Sequence, residues 1–433
     1  MTRLSVRGSA RRRFLAKAAL MTAAAYARGL PALARARTNG AHVVVIGGGF
    51  AGATCAKYLR RADPSLQVTL IEREKSYVTG PFSNLVLAGV RTLHDLTLRY
   101  DKLRLDHGID VVHGEAVAID PAGQRITLQD RRILTYDRLV VAPGIDVDHA
   151  ALPGYGVEAT TVMPHAWIPG AQTNLLRRQL EEMKDGGTVL LTVPPAPFRC
   201  PPGPFERASL IAFYLKARKP RSKVLLLDAN ESFPDEDLFL EGWRALYPGM
   251  IEWVPGSKGG AVVRVDGAAK TVHTAAGSHT ADVVNIIPPQ KAGRIATASG
   301  LANTTGWCPI DDRTLESTLH RNIHVIGDAA IAGRLPKSAA AANSQAKVCA
   351  LAVAQLLRGQ RVGDPSFVNA CYSLVSPTYG ISLAGVFELT PEGITLVPNS
   401  FATSPLQAQE KYRQREARDA EGWYRNIVAD TFA

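Results

Sequence analysis

The sequence predicts an α/β protein: two doubly wound βαβ domains followed by a smaller C-terminal α+β segment. Three observations predict it. The apolar, β-branched run His42-Val43-Val44-Val45-Ile46 leads directly into Gly47-Gly48-Gly49-Phe50-Ala51-Gly52; a second strand–helix–strand pattern occupies 187–227; and two further strands, 136–141 and 322–326, each run into a glycine-containing turn. With 433 residues, 46% hydrophobic and 21% charged, the chain can fill two or three cores and is too apolar to be disordered.

Residues 1–36 carry eight basic side chains (Arg3, Arg7, Arg11, Arg12, Arg13, Lys17, Arg28 and Arg35) and no acid, and removing these eight from the net charge of +11 leaves +3. The basicity belongs to this leader, so the composition does not point to a nucleic-acid partner. Arg11-Arg12-Arg13-Phe14-Leu15, an Ala-rich apolar stretch to residue 26 and the small residues of Ala32-Leu33-Ala34-Arg35-Ala36 resemble a twin-arginine export signal, which implies a periplasmic protein exported already folded. A basic amphipathic surface helix is the alternative. Elsewhere no apolar stretch approaches the ~18 residues of a membrane span, and none is predicted.

The next segment carries the most information. After strand 42–46 and the glycines, 53–61 reads as a helix and Gln67-Val68-Thr69-Leu70-Ile71 as a strand ending at Glu72, twenty residues past Gly52. This is a complete dinucleotide-binding, Rossmann-like fingerprint. Gly47 allows the tight turn, Gly49 lets backbone approach a pyrophosphate, Gly52 lets helix pack on strand, and Glu72 can accept from a ribose hydroxyl.

Tyr136-Asp137-Arg138-Leu139-Val140-Val141-Ala142-Pro143-Gly144 and Asn322-Ile323-His324-Val325-Ile326-Gly327-Asp328 resemble the signatures of two-dinucleotide-domain flavoproteins, with Ala142, Gly144 and Gly327 in the turns. The resemblance implies that Asp328 holds the ribityl chain of FAD. It also implies that the helix 338–357, entered through Pro336-Lys337-Ser338, points its N-terminus at the flavin, where the helix dipole stabilises negative charge. A helix N-cap is the other reading of Asp328.

In the middle unit, strand 187–193 runs into Pro194-Pro195-Ala196-Pro197-Phe198-Arg199-Cys200-Pro201-Pro202-Gly203-Pro204, followed by helix 206–216 and strand 223–227. Proline offers no N–H to a pyrophosphate, so the domain is predicted to be a degenerate NAD-type unit that binds neither NADH nor NADPH.

The five cysteines show no C-x-x-C, no haem-attachment motif and no metal-ligand spacing, and no metal is predicted. Cys55 and Cys349 fall on helices and read as small buried hydrophobes, while Cys308 lies in a loop able to approach a flavin. Cys200 differs, standing in a proline-rigid loop at the carboxyl end of a strand, where doubly wound folds bind ligands. Phe198-Arg199-Cys200-Pro201-Pro202-Gly203-Pro204-Phe205-Glu206-Arg207, Pro336-Lys337-Ser338, Ala342-Asn343-Ser344-Gln345, Asn369-Ala370-Cys371-Tyr372-Ser373 and the stretch 77–89 together resemble the flavoprotein subunit of flavocytochrome c sulfide dehydrogenase.

That resemblance runs from about residue 42 to the end of the chain. It implies a sulfide-oxidising enzyme in which Cys200 and Cys371 form a redox-active disulfide beside FAD; a purely structural disulfide is the alternative. It also implies a separate c-type cytochrome as partner, with hydrosulfide as substrate. Arg199 and Lys337 are placed by spacing to concentrate that anion and Glu206 to manage protons, with solvated surface charge the alternative for each. Family members with covalent FAD carry cysteine where this chain has Gly80, so noncovalent FAD is predicted. Two other functions stay open: a sulfide:quinone reductase-like flavoprotein, and a flavin-containing binding or assembly protein without turnover. The charged run Lys411-Tyr412-Arg413-Gln414-Arg415-Glu416 reads as a solvated helix face rather than a membrane-dipping one. The predicted boundaries are 1–36 for the signal, 40–155 with 290–362 for the FAD domain, 156–289 for the degenerate domain and 363–433 for the C-terminal segment.

Overall fold

The computed structural model describes residues 40–433, and the leader-like segment 1–36 lies outside the described residues. In chain order, the elements that build the site are β1 (His42–Ile46), α1 (Phe50–Ala62), β2 (Gln67–Glu72), α2 (Asn84–Leu87), β3 (Asp110–His113), β4 (Arg138–Val141), β5 (Thr188–Val193), α3 (Gly203–Arg218), β6 (Lys223–Asp228), β7 (Ile251–Val254), β8 (Val283–Ile286), β9 (Ile323–Val325), α4 (Ala339–Leu357), β10 (Ser366–Ser376), β11 (Tyr379–Thr390) and α5 (Glu410–Phe432).

The first sheet runs β9-β4-β1-β2-β3, parallel throughout. Its central strand has Val43, Val44 and Val45 sealed on both faces, the burial that an unbroken apolar run requires of a parallel sheet. α1 and α4 pack together across it. Small residues (Ala53, Ala56, Ala346, Ala350) let them approach closely, and Cys55 and Cys349 lie fully buried on these helices. β9 comes from beyond residue 290, so this domain is assembled from two chain segments. Where the chain leaves and re-enters, Ile145–Val147 pairs antiparallel with Gln290–Ala292.

The second domain inserts a parallel sheet of order β7-β6-β5-β8. Its helix α3 begins at Gly203, three residues earlier than its sequence pattern predicts. Pro204 is accommodated because the first helical turn has no use for its missing N–H.

In the C-terminal segment β10 and β11 form a long antiparallel ribbon that sets Cys371 opposite Leu383, and α5 lies against it. Here the reading of a solvated helix face is corrected. Arg413 and Glu416 are only 1% and 3% exposed. Arg413 donates to Glu241 (2.8 Å) and to the Pro405 carbonyl (2.8 Å), while Glu416 accepts from Ser404 (2.7 Å) and Ser382 (2.9 Å). Their charge is consumed in docking α5, because a buried ion pair is tolerated only when its partners are supplied. Among the described residues no helix is long and apolar enough to cross a membrane.

Candidate active site

A cavity of about 980 Å³ opens where the carboxyl ends of the first sheet face the middle domain and the β10–β11 ribbon. Its floor is the glycine turn. Gly47 has φ +99°, and a Cβ there would stand 2.2 Å from the Ala142 carbonyl oxygen; one on Gly52 would stand 1.8 Å from the Gly47 carbonyl oxygen. Both positions therefore exclude every side chain. Gly49 is the N-cap of α1 and no side chain caps it, so the first amides of the helix are left to a ligand. Glu72 accepts from the amides of Gly48 (2.7 Å) and Glu74 (3.0 Å), bracing the turn while lining the cavity. Ala142 and Gly144 (φ +66°) line it from the next strand end.

Gly327 (φ +75°) opens a short 3₁₀ turn and donates its N–H to Gln345 Oε1 at 2.9 Å. Asp328 follows it into the cavity lining. Its Oδ1 is buried without a hydrogen-bond partner among the described residues, and burial raises the carboxyl above its usual range, with Arg199 and Lys337 opposing. Asp328 is not the cap of the following helix. That is Ser338, whose Oγ accepts from Ala341 N (3.1 Å) and donates to Asn369 Oδ1 (2.6 Å).

Cys200 and Cys371 arrive from opposite sides. Cys200 holds a left-handed backbone (φ +56°), pinned by its N–H to the Lys337 carbonyl (2.7 Å) and by its own carbonyl to Gly203 N (2.8 Å). Both residues line the cavity, and both are free thiols here, so the predicted disulfide is not formed in this structure. Burial raises both thiols. Hydrogen bonding with Asn369 and Ser338 restrains Cys371 to about 11, while Cys200, facing Cys371 and Glu206, is pushed further up.

Glu206, in the first turn of α3, accepts from Asn84 Nδ2 (2.7 Å) and from the Leu374 amide of β10 (2.9 Å), and burial raises its carboxyl. Arg199 lines the cavity with its guanidinium bonded to the Trp167 carbonyl.

Lys337 is a correction. Its ammonium donates to the carbonyls of Asp328 (2.7 Å) and Ala330 (3.0 Å), lies 3.9 Å over the Trp307 ring, and is absent from the cavity lining. Burial lowers its pKa to about 8. Its side chain ties the Asp328 turn and its carbonyl ties the Cys200 loop, so it holds the site's frame rather than gathering anions. Cys308 is corrected likewise: it pairs as a strand residue with Ala330, fully buried and outside the cavity.

Sequence reasoning gave no role to Trp167, Tyr77, Asn84 or Arg207, all in the lining. Trp167 is 5% exposed with an unpartnered Nε1–H, a second orphan beside Asp328. Tyr77, Asn84 and Arg207 fall in stretches that carry the family resemblance, but their roles appear only in the fold, since the groups they meet, such as the Glu206 carboxylate on Asn84, lie far away in sequence.

In the middle domain the acid ending β6, Asp228, occupies the place that Glu72 has in the first. It is fully buried, accepting from Asn230 Nδ2 (2.8 Å) and Trp253 Nε1 (3.1 Å). Asn230 also closes the proline loop, bonding Pro194 O (2.9 Å) and Ala196 N (3.1 Å).

Residues 41–175 match the family model of pyridine nucleotide-disulphide oxidoreductases. Residues 173–288 match the central domain of the sulfide dehydrogenase [flavocytochrome c] flavoprotein chain, and 363–432 the flavin-binding domain of flavocytochrome c sulphide dehydrogenase. The sulfide dehydrogenase [flavocytochrome c] flavoprotein chain of Chlorobaculum thiosulfatiphilum is 64% identical over 44 residues, 10% of this chain and 92% of that sequence. The chain belongs to the flavocytochrome c sulfide dehydrogenase flavoprotein family. More distant is the mitochondrial sulfide:quinone oxidoreductase of Mus musculus, 22% identical over 338 residues, 75% of this chain and 73% of that one. The sulfide:quinone oxidoreductase structure from Aquifex aeolicus shares the fold, with a TM-score of 0.71 at 18% identity over 90% of this chain and 92% of that one.

A flavin dinucleotide fits this family member's cavity on the chain's own evidence: two glycine positions with no room for a side chain, an uncapped helix start, an orphaned Asp328 oxygen and an orphaned Trp167 N–H. Gly47, Gly49 and α1 would hold its pyrophosphate, Glu72 a ribose, and Asp328 and Ser338 the flavin half.

Proposed function

We propose that this flavoprotein oxidises hydrosulfide through Cys200 and Cys371 beside noncovalently held FAD and hands the electrons to a separate c-type cytochrome in the periplasm. The observation that carries the reading is the meeting of these two cysteines, from segments 171 residues apart, in the lining of the cavity that fits the dinucleotide.

In this reading the resting pair is a disulfide. Hydrosulfide attacks one sulfur, forming a sulfur–sulfur bond to it as the cysteine–cysteine bond breaks and the other sulfur leaves as thiolate. Cys371 suits the leaving role, because its thiol is raised less than that of Cys200. Cys200 then carries the persulfide, and Glu206, beside it in the cavity lining, takes the persulfide proton. Bound FAD supplies a two-electron acceptor able to discharge one electron at a time. Arg199 adds positive charge in the cavity lining. Asp228, sealed by Asn230 and Trp253, and the proline loop support a chain that takes its electrons from sulfur rather than from nicotinamide.

Mixing the purified protein with sulfide under anaerobic conditions tests the proposal. Rapid bleaching of the flavin is expected, followed by reduction of added cytochrome c in preference to a quinone. Preference for the quinone would assign the chain to sulfide:quinone reductase chemistry, and absence of bleaching would leave a binding protein.

A further inference from the structure

Glu206 lines the cavity, partly buried, and must exist as a carboxylate to take a proton. Two N–H donors reach it. One is the Leu374 amide, three residues beyond Cys371, and the other is Asn84 Nδ2 at 2.7 Å. A backbone amide cannot be reversed, but a side-chain amide can present either end. Presenting its oxygen to Glu206 would set acceptor against acceptor in a partly buried site.

What fixes that choice is Arg207. Its Nε donates to Asn84 Oδ1 at 3.0 Å, and a guanidinium has no acceptor to offer, so the oxygen of Asn84 must face Arg207 and its NH₂ must face Glu206. Arg207 is itself immobile. It is 2% exposed, its Nη1 donates to His165 O (2.9 Å) and Asn285 Oδ1 (3.0 Å), and its Nη2 donates to Ala166 O (2.6 Å). Its Cζ lies 4.8 Å from the Trp167 ring centre. Asn285 spends both amide hydrogens on the carbonyls of Pro164 (2.6 Å) and His165 (2.9 Å), leaving only its oxygen for Arg207. The direction of every bond from Asn285 to Glu206 is thus determined.

We infer that Asn84 is a positioning residue, oriented by Arg207, whose amide hydrogen opposes protonation of Glu206 beside Cys200. This rests on the reading of Glu206 as the proton acceptor. The other charged and titratable groups around Glu206 are Arg207 on its own helix, Cys200 on the preceding loop and Cys371 on β10, with Arg199 beside Arg207.

The test is infrared titration of the holoprotein, with Glu206→Gln identifying the carboxyl band that belongs to Glu206. In Asn84→Leu, which keeps the volume and loses the donor, the midpoint is expected to rise by one pH unit or more, a tenfold or greater gain in proton affinity. Asn84→Asp, which sets a carboxylate against Glu206 and still satisfies Arg207, should raise it further. FAD content and unfolding temperature close to the parent certify that only the proton affinity has moved. Should Asn84→Leu not fold, Asn84→Asp and the smaller Asn84→Ala carry the same expectation. An unmoved midpoint in any folded variant overturns the inference. Flavin bleaching by sulfide in Glu206→Gln judges the underlying reading separately: parental speed there removes Glu206 from the chemistry, whatever the titration shows.

Discussion

Gly80, where the family resemblance implies cysteine in members with covalent FAD, stands in the lining, and a Cβ built on it meets nothing within 4 Å. A side chain fits there without displacing anything. Acid precipitation of the parent should leave FAD in the supernatant; flavin remaining in the parental pellet would reveal a covalent link elsewhere. In Gly80→Cys the pellet should turn yellow, with stability within about 1 kcal/mol of the parent, since the substitution loses no contact. Lys337 yields a second expectation. Its folded pKa is about 8 against an ordinary 10.5, so between those values the unfolded chain binds the proton that the folded one has released. Stability contributed by this group must therefore rise with pH across that window and be absent below it. Urea unfolding of parent and Lys337→Met at pH 7 and 9 should show the parent gaining relative to the variant by on the order of 1 kcal/mol; a constant difference would refute the depressed value. Both residues show what a sequence can and cannot disclose. Gly47 and Gly52 were legible because their constraint is local backbone geometry. The true direction of the Lys337 side chain was not, because the carbonyls that capture it are arranged by a turn the sequence leaves undetermined.

Strands and helices with strong periodicity were legible for the same local reason, and their errors cluster at ends. α3 starts earlier than its pattern suggests because Pro204 is compatible with a first turn, and the acid after β9 enters a 3₁₀ turn while Ser338 caps α4. α5 misled more deeply. Two of its charges, Arg413 and Glu416, look solvated in sequence and are buried in the structure, since Glu241, Ser382 and Ser404 come from other elements to meet them. The loop after β5 is closed by hydrogen bonds with a neighbouring strand end. Asn230 stitches it to Asp228, and Trp253 closes the other carboxylate oxygen, so this strand end offers a nucleotide neither free amides nor a free acid. Neither NADH nor NADPH should bleach the flavin at a useful rate in an anaerobic stopped flow. Rapid bleaching by either would overturn the assignment of this domain as degenerate.

Taken whole, the molecule brings two distant cysteines into the lining of one cavity. Cys200 depends on the middle domain and Cys371 on the C-terminal ribbon, while the first domain's Lys337 carbonyl holds the Cys200 amide. A disulfide between them would close a loop long enough to stabilise the fold by about 4 to 5 kcal/mol. Loss of activity in a cysteine variant therefore cannot by itself separate a catalytic pair from a staple. The discriminating experiment replaces Cys371 with Ser, a change of similar size at a position already bonded to polar neighbours. Unfolding temperature and FAD content are measured first, and flavin reduction by sulfide is then followed in a stopped flow. A redox-active pair predicts a fall of several orders of magnitude in that rate while FAD stays bound, because no second sulfur remains to be displaced as thiolate. A staple predicts the reverse pattern, a lower unfolding temperature with the rate of reduction retained. Retained rate in a well-folded variant would mean that sulfide reaches the flavin directly, and Cys200 would then need no partner.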